Sequence, residues 1–415
     1  MNAIVDLVTE TLRGLRAQAF RFGLAALGMA WGVAMLTYLS ASSEGYDRHF
    51  AREIAKVGER IVFLFPGTIT KETVGQRGAR RLDLERDDVE RLASLALVER
   101  AAPNTWVGPR VVRAGRRTKL VWLHGATADT APVRNYEVAT GRGLSPADVE
   151  ASARVVFLGA RAAERLFGRA PAIGRALHID GIPFAVVGVA ARKGHQLVFV
   201  GPGDDEVAFV PITTAQQWFT HTRRIDQVVF EPRSRAESWE ALDLVRGLTA
   251  LHQRYRADDD TALGAFNVQE VVQIVEALLL ALRAFLTAAS IVTLIAGAVG
   301  VTNIMLVMVA ERTREFGLRK ALGASNRALF TQVMAETLTL TLSSGGIGLL
   351  VGWLGVRASG AALAGQENTM QGAPVLTLPT AILVVTTLVV IGVVAGVVPA
   401  RRAMRVDAAV ALRAV

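Results

Sequence analysis

Four long uncharged stretches dominate the hydrophobic pattern of the chain. They cover residues 22–41, 284–310, 337–356 and 375–400 and contain 20, 27, 20 and 26 residues, respectively. A helix needs about 20 predominantly apolar residues to cross the hydrocarbon core of a bilayer, and it satisfies its backbone hydrogen bonds internally. The pattern therefore predicts a membrane protein with four transmembrane α-helices.

Between the first two stretches, the polar and apolar residues follow a mixed pattern of short strands and amphipathic helices. Short apolar runs bounded by turn residues predict strands, and apolar residues spaced among charges predict helices. We predict strands at 60–65, 120–123, 154–159 and 227–230, a β-hairpin at 176–180 and 183–189, and helices at 84–97, 160–167 and 236–255. Residues 42–273 are thus expected to form a large α+β domain in two parts, inserted between the first and second spans.

Composition narrows the class of protein further. Hydrophobic residues make up 51% of the 415 residues, charged residues make up 20%, and cysteine is absent. The apolar content excludes an intrinsically disordered chain. The lack of thiols excludes a disulfide framework and a cysteine-ligated metal site.

The positive charge is concentrated beside the hydrophobic stretches. Residues 1–21, 311–327 and 401–415 together contain twelve basic and five acidic residues, whereas the loop at 357–376 contains one of each. The positive-inside rule places the three basic segments in the cytoplasm, so both termini are expected there and residues 42–273 on the opposite side. Residues 42–283 contain 33 basic and 30 acidic residues, which does not support a nucleic-acid-binding surface.

The first hydrophobic stretch has a second interpretation. Arg13, Arg16 and Arg21 precede an apolar run that ends in small residues, as in a secretory signal peptide. The apolar region of a signal peptide usually has about 7–15 residues, and this run has 20. We therefore expect an uncleaved first transmembrane helix.

Residues 42–273, here called the polar domain, contain little that resembles an active site. His124, His195 and His221 are scattered, and the sequence contains no H-E-x-x-H, G-x-S-x-G or S-x-x-K nucleophile signature. We expect a lone histidine such as His124 to be a packed or surface residue, and residues 258–260 (DDD) to form a solvated loop. A non-catalytic protein without a bound metal is predicted.

The segment that follows the second span combines charges with apolar residues. Phe316, Leu318, Ala321 and Leu322 alternate with charged residues, a pattern that fits either an interfacial helix or a simple basic anchor. Within the spans, the notable polar residues are Asn303 and Glu336. Glu336 is expected to face another helix or to lie near the cytoplasmic interface.

Several of these segments resemble the signatures of FtsX/MacB-type ABC transporter permeases. Around the second span the resemblance is carried by residues 298–307 (AVGVTNIMLV), 311–315 (ERTRE) and 317–324 (GLRKALGA). In the polar domain, residues 154–159, 164–168, 173–175 and 184–189 are similar to the MacB periplasmic core domain. Residues 27–34, 399–403 and 411–413 resemble the first span and the C-terminal end of the family.

The resemblance implies a multi-pass protein of the cell inner membrane with a periplasmic domain of porter-like and sabre-like subdomains. The implied order is a cytoplasmic amphipathic helix at 1–21, a first span at 22–41, a periplasmic domain at 42–273 (porter-like at 42–110 and 223–273, sabre-like at 111–222), a stalk and second span at 274–310, a cytoplasmic coupling segment at 311–327, a third span at 328–356, a periplasmic loop at 357–376, a fourth span at 377–400 and a cytoplasmic tail at 401–415.

The family also implies a partner that hydrolyses ATP. This sequence contains no G-x-x-x-x-G-K-[ST] motif, so it offers no phosphate-binding loop of that type. The resemblance therefore implies that ATP and Mg²⁺ bind to a separate ABC ATPase. The residues implied in ATPase coupling are Glu311, Arg312, Thr313, Arg314, Glu315, Phe316, Gly317, Leu318, Arg319, Lys320, Ala321, Leu322, Gly323 and Ala324. Charge reversal at Arg319 and Lys320 is expected to uncouple the ATPase.

A second copy of the permease is the other implied partner, as a homodimer or a heterodimer. Small and polar residues that permit close helix packing or dimer contact are Gly28, Gly32, Gly297, Gly300 and Asn303. The pairs Gly348/Gly352 and Gly392/Gly396 have the same G-x-x-x-G spacing, which also permits close helix packing. A periplasmic adaptor and an outer-membrane duct are further partners that the family allows.

The implied function is the transmission of ATPase motion across the inner membrane to export a hydrophobic or amphipathic substrate. Two alternatives share the topology. One is an FtsX-like regulator of a cell-wall hydrolase, and the other is a lipoprotein-releasing permease. The length of the polar domain favours the MacB-like exporter over the FtsX-like regulator.

Overall fold

The structure is a computed structural model that describes residues 19–58, 60–71, 79–194, 202–363 and 372–406. The predicted N-terminal helix at 1–21 therefore lies almost entirely outside the described residues, as do residues 364–371 of the predicted loop and most of the C-terminal tail. The chain divides into two compact units, which are considered separately. One comprises Met1–Phe50 and Ala277–Val415, and the other comprises Ala51–Glu276.

The described part of the chain contains eleven α-helices and twelve strands. The helices are α1 (Ala19–Val57), α2 (Arg86–Ala93), α3 (Thr130–Val133), α4 (Pro146–Glu150), α5 (Ala160–Phe167), α6 (Ile212–Ala215), α7 (Ser238–Gln253), α8 (Val268–Glu311), α9 (Thr313–Ala321), α10 (Asn326–Leu363) and α11 (Leu378–Met404). The strands are β1 (Val62–Pro66), β2 (Thr68–Ile69), β3 (Arg80–Arg81), β4 (Val98–Ala114), β5 (Arg117–Ala126), β6 (Val138–Gly141), β7 (Val155–Leu158), β8 (Ala176–Ile179), β9 (Ile182–Ala190), β10 (Val207–Pro211), β11 (Gln227–Pro232) and β12 (Leu263–Asn267).

Long apolar helices build the first unit. Among the described residues, α8, α10 and α11 are long and apolar enough to cross a membrane, and they correspond to three of the four predicted spans. The remaining predicted span, residues 22–41, lies within α1. A fourth crossing stays a prediction.

Small residues let the helices of this unit approach closely. A Cβ atom added to Gly348 of α10 would lie 2.3 Å from the carbonyl oxygen of Ala30 in α1, and one added to Gly352 would lie 2.8 Å from Cβ of Thr37. Gly392 and Gly396 of α11 pack in the same way against Thr341, Met334 and Thr337 of α10. Both of these G-x-x-x-G pairs are therefore used for packing within one chain.

We expect Gly348→Ala to destabilise this unit, because the added methyl group would meet backbone atoms that cannot rotate away. Overpacking of this kind costs about 1–3 kcal/mol, or several degrees in the midpoint of thermal unfolding. Gly346→Ala is a matched control on the same helix, since a Cβ atom there would have nothing within 4 Å. Equal unfolding temperatures for the two variants in detergent would contradict the tight contact between α1 and α10.

A ten-stranded mixed sheet forms the second unit. Its order is β12-β1-β11-β4-β5-β10-β7-β9-β6, and β8 pairs with both β4 and β9. β10 runs parallel to β5, and β7 runs parallel to β9. The predicted hairpin is confirmed as β8–β9, and the predicted strand followed by a helix is confirmed as β7–α5.

Two main hydrophobic clusters stabilise this sheet. One contains Phe230, Leu242 and Leu263 with residues of α2 and α7. The other contains Leu123, Phe184 and Val210 with residues of α5. The two clusters agree with a domain in two parts, whereas the boundaries of the porter-like and sabre-like subdomains stay predictions.

Two features of this unit differ from the predictions. The 17-residue strand β4 was not predicted, because Pro103, Gly108 and Pro109 interrupt its pattern; the structure places a register shift between Trp106 and Gly108. The prediction of a solvated loop at residues 258–260 was wrong for Asp259. Its side chain is 3% exposed and accepts hydrogen bonds from the backbone amides of Thr70 and Lys71, each at 2.6 Å.

Candidate functional site

A short helix follows the long helix α8 at the end where basic residues cluster. α8 ends at Glu311, Arg312 precedes α9, and α9 ends at Ala321. Gly323 adopts a positive φ of 97°, a conformation that glycine adopts without a steric penalty. The amide of Ala324 then donates to the carbonyl of Arg319 at 2.9 Å. Residues 311–324 thus form a compact helical segment, here called the coupling segment.

Arg312 is the centre of a network of charges in this segment. Its Nε and Nη2 donate to the two carboxylate oxygens of Glu315 at 2.7 and 2.9 Å, and its Nη1 donates to both oxygens of Glu336 at 3.1 and 3.2 Å. Its guanidinium carbon lies 5.4 Å from the ring centroid of Phe316. The hydrogen bonds to Glu315 raise the pKa of Arg312 and lower the pKa of Glu315. Both side chains therefore carry charge at neutral pH.

Glu336 lies on α10 and is only 6% exposed. Besides Arg312, it accepts a hydrogen bond from Nε2 of Gln332 at 3.2 Å. The expectation that Glu336 faces another helical segment is confirmed. A buried carboxylate needs such partners, because the loss of hydration costs several kcal/mol.

Arg319 and Lys320 also make contacts within the chain. Arg319 donates to Oε1 of Gln332 at 2.6 Å and pairs with Glu315 at 2.8 Å. Lys320 donates to the carbonyl oxygens of Met404 and Val406, at the end of α11, at 2.7 and 2.9 Å. These two charges, which we expected to dock a partner, hold the coupling segment to α10 and α11.

The opposite face of the coupling segment is exposed. Leu318 is 51% exposed, Leu322 is 81% exposed, and Arg314 and Ala321 are exposed beside them. Phe316, by contrast, is 1% exposed and belongs to the hydrophobic cluster of the first unit (residues 1–50 and 277–415), here called the membrane unit. The structure thus separates the predicted coupling residues into an inner face that packs and an outer face with two leucines.

The five residues that were predicted to pack between helices also differ in their surroundings. Gly28, Gly32 and Gly297 lie where α1 meets α8: a Cβ atom on Gly297 would lie 3.1 Å from the amide nitrogen of Met29, and one on Gly32 would lie 3.0 Å from a methyl group of Leu294. Gly300 is half-buried and Asn303 is exposed. Three of the five residues therefore pack within one chain, and Asn303 does not.

A buried ionic cluster in the second unit had no signal in the sequence. Arg134 and Lys193 both pair with Asp204, at 2.5 and 2.8 Å, and all three side chains are less than 9% exposed. Burial lowers the pKa of Lys193. Asp204 is the first of three consecutive acidic residues and Lys193 follows Arg192, so neither stands out in the sequence, and only the fold brings both of them to Arg134.

His124 lies near this cluster and confirms the prediction of a packed residue. It is 5% exposed, and its Nδ1 lies 3.1 Å from Nδ2 of Asn104. Burial lowers its pKa to about 3, so the ring is neutral at physiological pH. Among the described residues, no group of three or more histidine, aspartate or glutamate side chains could hold a metal ion.

Comparisons with known proteins match almost the whole chain. Residues 22–248 match the family model described as the MacB-like periplasmic core domain, and residues 287–408 match the FtsX-like permease C-terminal model. The first match alone covers more than half of the 415 residues.

Curated relatives align with the chain over nearly its whole length. The macrolide export ATP-binding/permease protein MacB of Azoarcus sp. is 30% identical over 99% of this chain and 60% of its own length. The pyoverdine export ATP-binding/permease protein PvdT of Pseudomonas aeruginosa is 28% identical over 99% of this chain and 58% of its own length. The chain thus spans about 60% of the length of these relatives.

Among solved structures, the periplasmic region of MacB from Actinobacillus actinomycetemcomitans aligns with 54% of this chain and 95% of its own length. The sequence identity is 20% and the TM-score is 0.43.

Proposed function

The chain belongs to the MacB/FtsX family of ABC transporter permeases, and from this premise we propose that it transmits ATP-driven motion across the inner membrane to its periplasmic domain. The observation that carries the proposal is the continuous 44-residue helix α8. At 1.5 Å per residue it is about 66 Å long, about twice the thickness of a bilayer core. It connects strand β12 of the second unit to the coupling segment.

In the proposed mechanism, a partner ABC ATPase binds ATP and Mg²⁺ and contacts the exposed face of the coupling segment. Closure of two ATPase subunits would push on two such segments, and each α8 would carry the displacement outward. The inner face of the segment supports this role, because Arg312, Arg319 and Lys320 fasten it to the span α10 and to the end of α11. A push on the segment would therefore move the spans with it.

The proposed topology has four spans, with the first within α1, both termini in the cytoplasm, and residues 42–273 in the periplasm. The distribution of basic residues supports this orientation. The proposed substrate class is a hydrophobic or amphipathic molecule, supported by the membership of the family and by relatives that are named for macrolide and pyoverdine export.

Single cysteines test the topology without interference, because the chain has no native cysteine. We expect a membrane-impermeant maleimide to label Thr118→Cys in spheroplasts. Ser325→Cys, which lies just after the coupling segment, should react only after the membrane is permeabilised. Both positions are exposed, so lack of access within the fold would not explain a negative result. Labelling in the reverse order would exclude the proposed mechanism.

A homodimer that forms through α8 is the second part of the proposal. Asn303 lies on an exposed face of α8, one turn from Val299 and Val307, which are 53% and 39% exposed. An amide exposed at the depth of a bilayer is unfavourable, and a hydrogen bond between helices would satisfy it. Pairing of two α8 helices would supply that bond.

We expect Asn303→Cys to form a disulfide-linked dimer in membranes on oxidation. Ile347→Cys, at a position 59% exposed on α10, serves as the control and should remain monomeric. Asn303→Leu should weaken the dimer about fivefold, because such a hydrogen bond contributes about 1 kcal/mol. Cross-linking at residue 347 but not at residue 303 would place the dimer contact elsewhere.

A further inference from the structure

A strip of exposed apolar side chains lies on one face of the β4–β5 hairpin. Trp106, Val111, Leu120 and Trp122 are 44, 51, 61 and 42% exposed, respectively. Val111 lies opposite Leu120, and Pro109 lies opposite Trp122. Side chains directly opposite each other in an antiparallel pair share a face, so these residues form one surface. From Trp106 to Val111 the strip is about 17 Å long.

The same hairpin has an unusual excess of positive charge. Residues 107–127 contain five basic residues and no acidic residue: Arg110, Arg113, Arg116, Arg117 and Lys119. Arg110 pairs with Asp180 at 3.4 Å. In the part of the chain that the structure describes, no carboxylate forms an ion pair with Arg113, Arg116 or Lys119. Arg113 and Arg116 therefore lie at one end of the apolar strip, whereas Lys119, which lies opposite the buried Val112, is next to them on the other face of the hairpin.

These cations lie at and beside the tip of the hairpin, and their position limits the kinds of ligand that the strip can bind. Arg113 lies opposite Thr118, next to the pair Val111/Leu120 on the same face, and Gly115 and Arg116 form the turn. The tip of the hairpin is thus polar and charged, and the apolar residues lie along its side. A hairpin that inserted into a bilayer by its tip would have to bury these charges, which is costly.

An elongated ligand that lies along the side of the hairpin fits the arrangement better. Its apolar body would cover the two tryptophans and Leu120, and an acidic group would reach Arg113 and its basic neighbours. Exposed apolar patches on a folded domain commonly mark such binding sites. Basic residues at one end of the strip select for a negative charge at one end of the ligand.

We propose that this strip binds an anionic amphiphile, that is, a molecule with an apolar body and a terminal acidic group, and that this is the class of molecule that the protein transports. The inference rests on the proposed export function and makes its substrate class specific. The occupant is the free amphiphile, and neither a bilayer surface nor an acidic protein.

Fluorescence quenching by 9,10-dibromostearate tests the proposal on the full chain in nanodiscs, because bromine atoms quench tryptophan at contact distance. The measurement uses a background with Trp31→Phe and Trp353→Phe, which removes the two tryptophans of the membrane unit. We expect saturable quenching that is mostly lost in Trp106→Phe/Trp122→Phe. The matched variant Trp218→Phe/Trp239→Phe, at positions that are both 42% exposed, should retain it.

Charge reversal of the basic residues of the hairpin is the second test of the proposal. Arg113→Glu/Arg116→Glu/Lys119→Glu should raise the half-saturating concentration of dibromostearate at least tenfold. Arg169→Glu/Arg175→Glu/Arg254→Glu makes the same change in net charge at exposed positions of the same unit and should leave that concentration unchanged. A brominated alkyltrimethylammonium of equal chain length should not quench the hairpin tryptophans over the same range.

Each other outcome overturns the proposal. Equal quenching by the anionic and cationic probes would show a site without charge selection. Quenching only by vesicles of brominated phosphatidylglycerol would make a bilayer the occupant, and the absence of quenching by any probe would leave an acidic protein. Because the measurement requires no ATPase, a negative result leaves the proposed coupling function standing, and that function is tested independently through the coupling segment.

Discussion

Leu318→Asp/Leu322→Asp is expected to abolish stimulation of the proposed partner ATPase by this chain and to weaken their association about 100-fold. The two leucines are 51% and 81% exposed on the outer face of the coupling segment. Burial of a leucine at an interface contributes about 1.5–3 kcal/mol, and a loss of about 3 kcal/mol corresponds to a 100-fold change in affinity. Co-purification and ATP hydrolysis in proteoliposomes measure the two effects.

The second unit offers a matched control for this variant. Leu244 and Leu251 on α7 are 45% and 82% exposed, so Leu244→Asp/Leu251→Asp introduces the same charges at equally exposed positions. This control should bind and stimulate the ATPase like the unchanged chain. Both variants should unfold at the temperature of the unchanged chain, because neither pair is part of a core. Unchanged ATPase coupling in the Leu318/Leu322 variant would refute the proposed docking role of the outer face.

Charge reversal at Arg319 and Lys320 is a less specific test than the sequence suggested. Their charged groups contact Gln332, Glu315 and the carbonyl oxygens that end α11. Reversal would break these contacts and loosen the segment. Loss of coupling in such variants would therefore reflect a changed shape as well as a changed docking surface.

Arg312→Ala is expected to cause the largest loss of stability among single changes in the membrane unit. It would leave the carboxylate of Glu336, which is 6% exposed, without its charged partner. Removal of one member of a buried ion pair costs about 3–5 kcal/mol. For a unit of this size, that loss lowers the midpoint of thermal unfolding by about 10 °C, which can be measured in detergent.

A double-mutant cycle separates the lost ion pair from other effects. Arg312→Met/Glu336→Met removes both charges and should recover most of the lost stability, because well-packed apolar residues can replace a buried pair at little cost. Arg314→Ala, at an exposed position of the same segment, should unfold like the unchanged chain. If the double variant were no more stable than Arg312→Ala, the pair with Glu336 would not be the source of the loss.

Local patterns were sufficient for much of the fold. The long uncharged stretches predicted the helices α8, α10 and α11. Short apolar runs bounded by turn residues predicted the strands β1, β7, β9 and β11. Strand β4 was missed because its proline and glycine residues break the pattern. The structure accommodates them with a register shift and with pairing to β5, β8 and β11. The pairing with β8 and β11 depends on residues far away along the chain.

The sequence by itself determined where the long apolar stretches lie, where their flanking charges cluster and which family the chain belongs to. The apolar stretches can be found in the sequence because the free energy of inserting a helix into a bilayer is the sum of the contributions of its consecutive residues. The family can be found there because its motifs are short runs of consecutive residues. Only the tertiary structure decided which face of the coupling segment is free, that Arg312 pairs with Glu336, and that Asp259 is buried. Each of these depends on contacts between side chains that are distant in the sequence, and such contacts leave no local pattern.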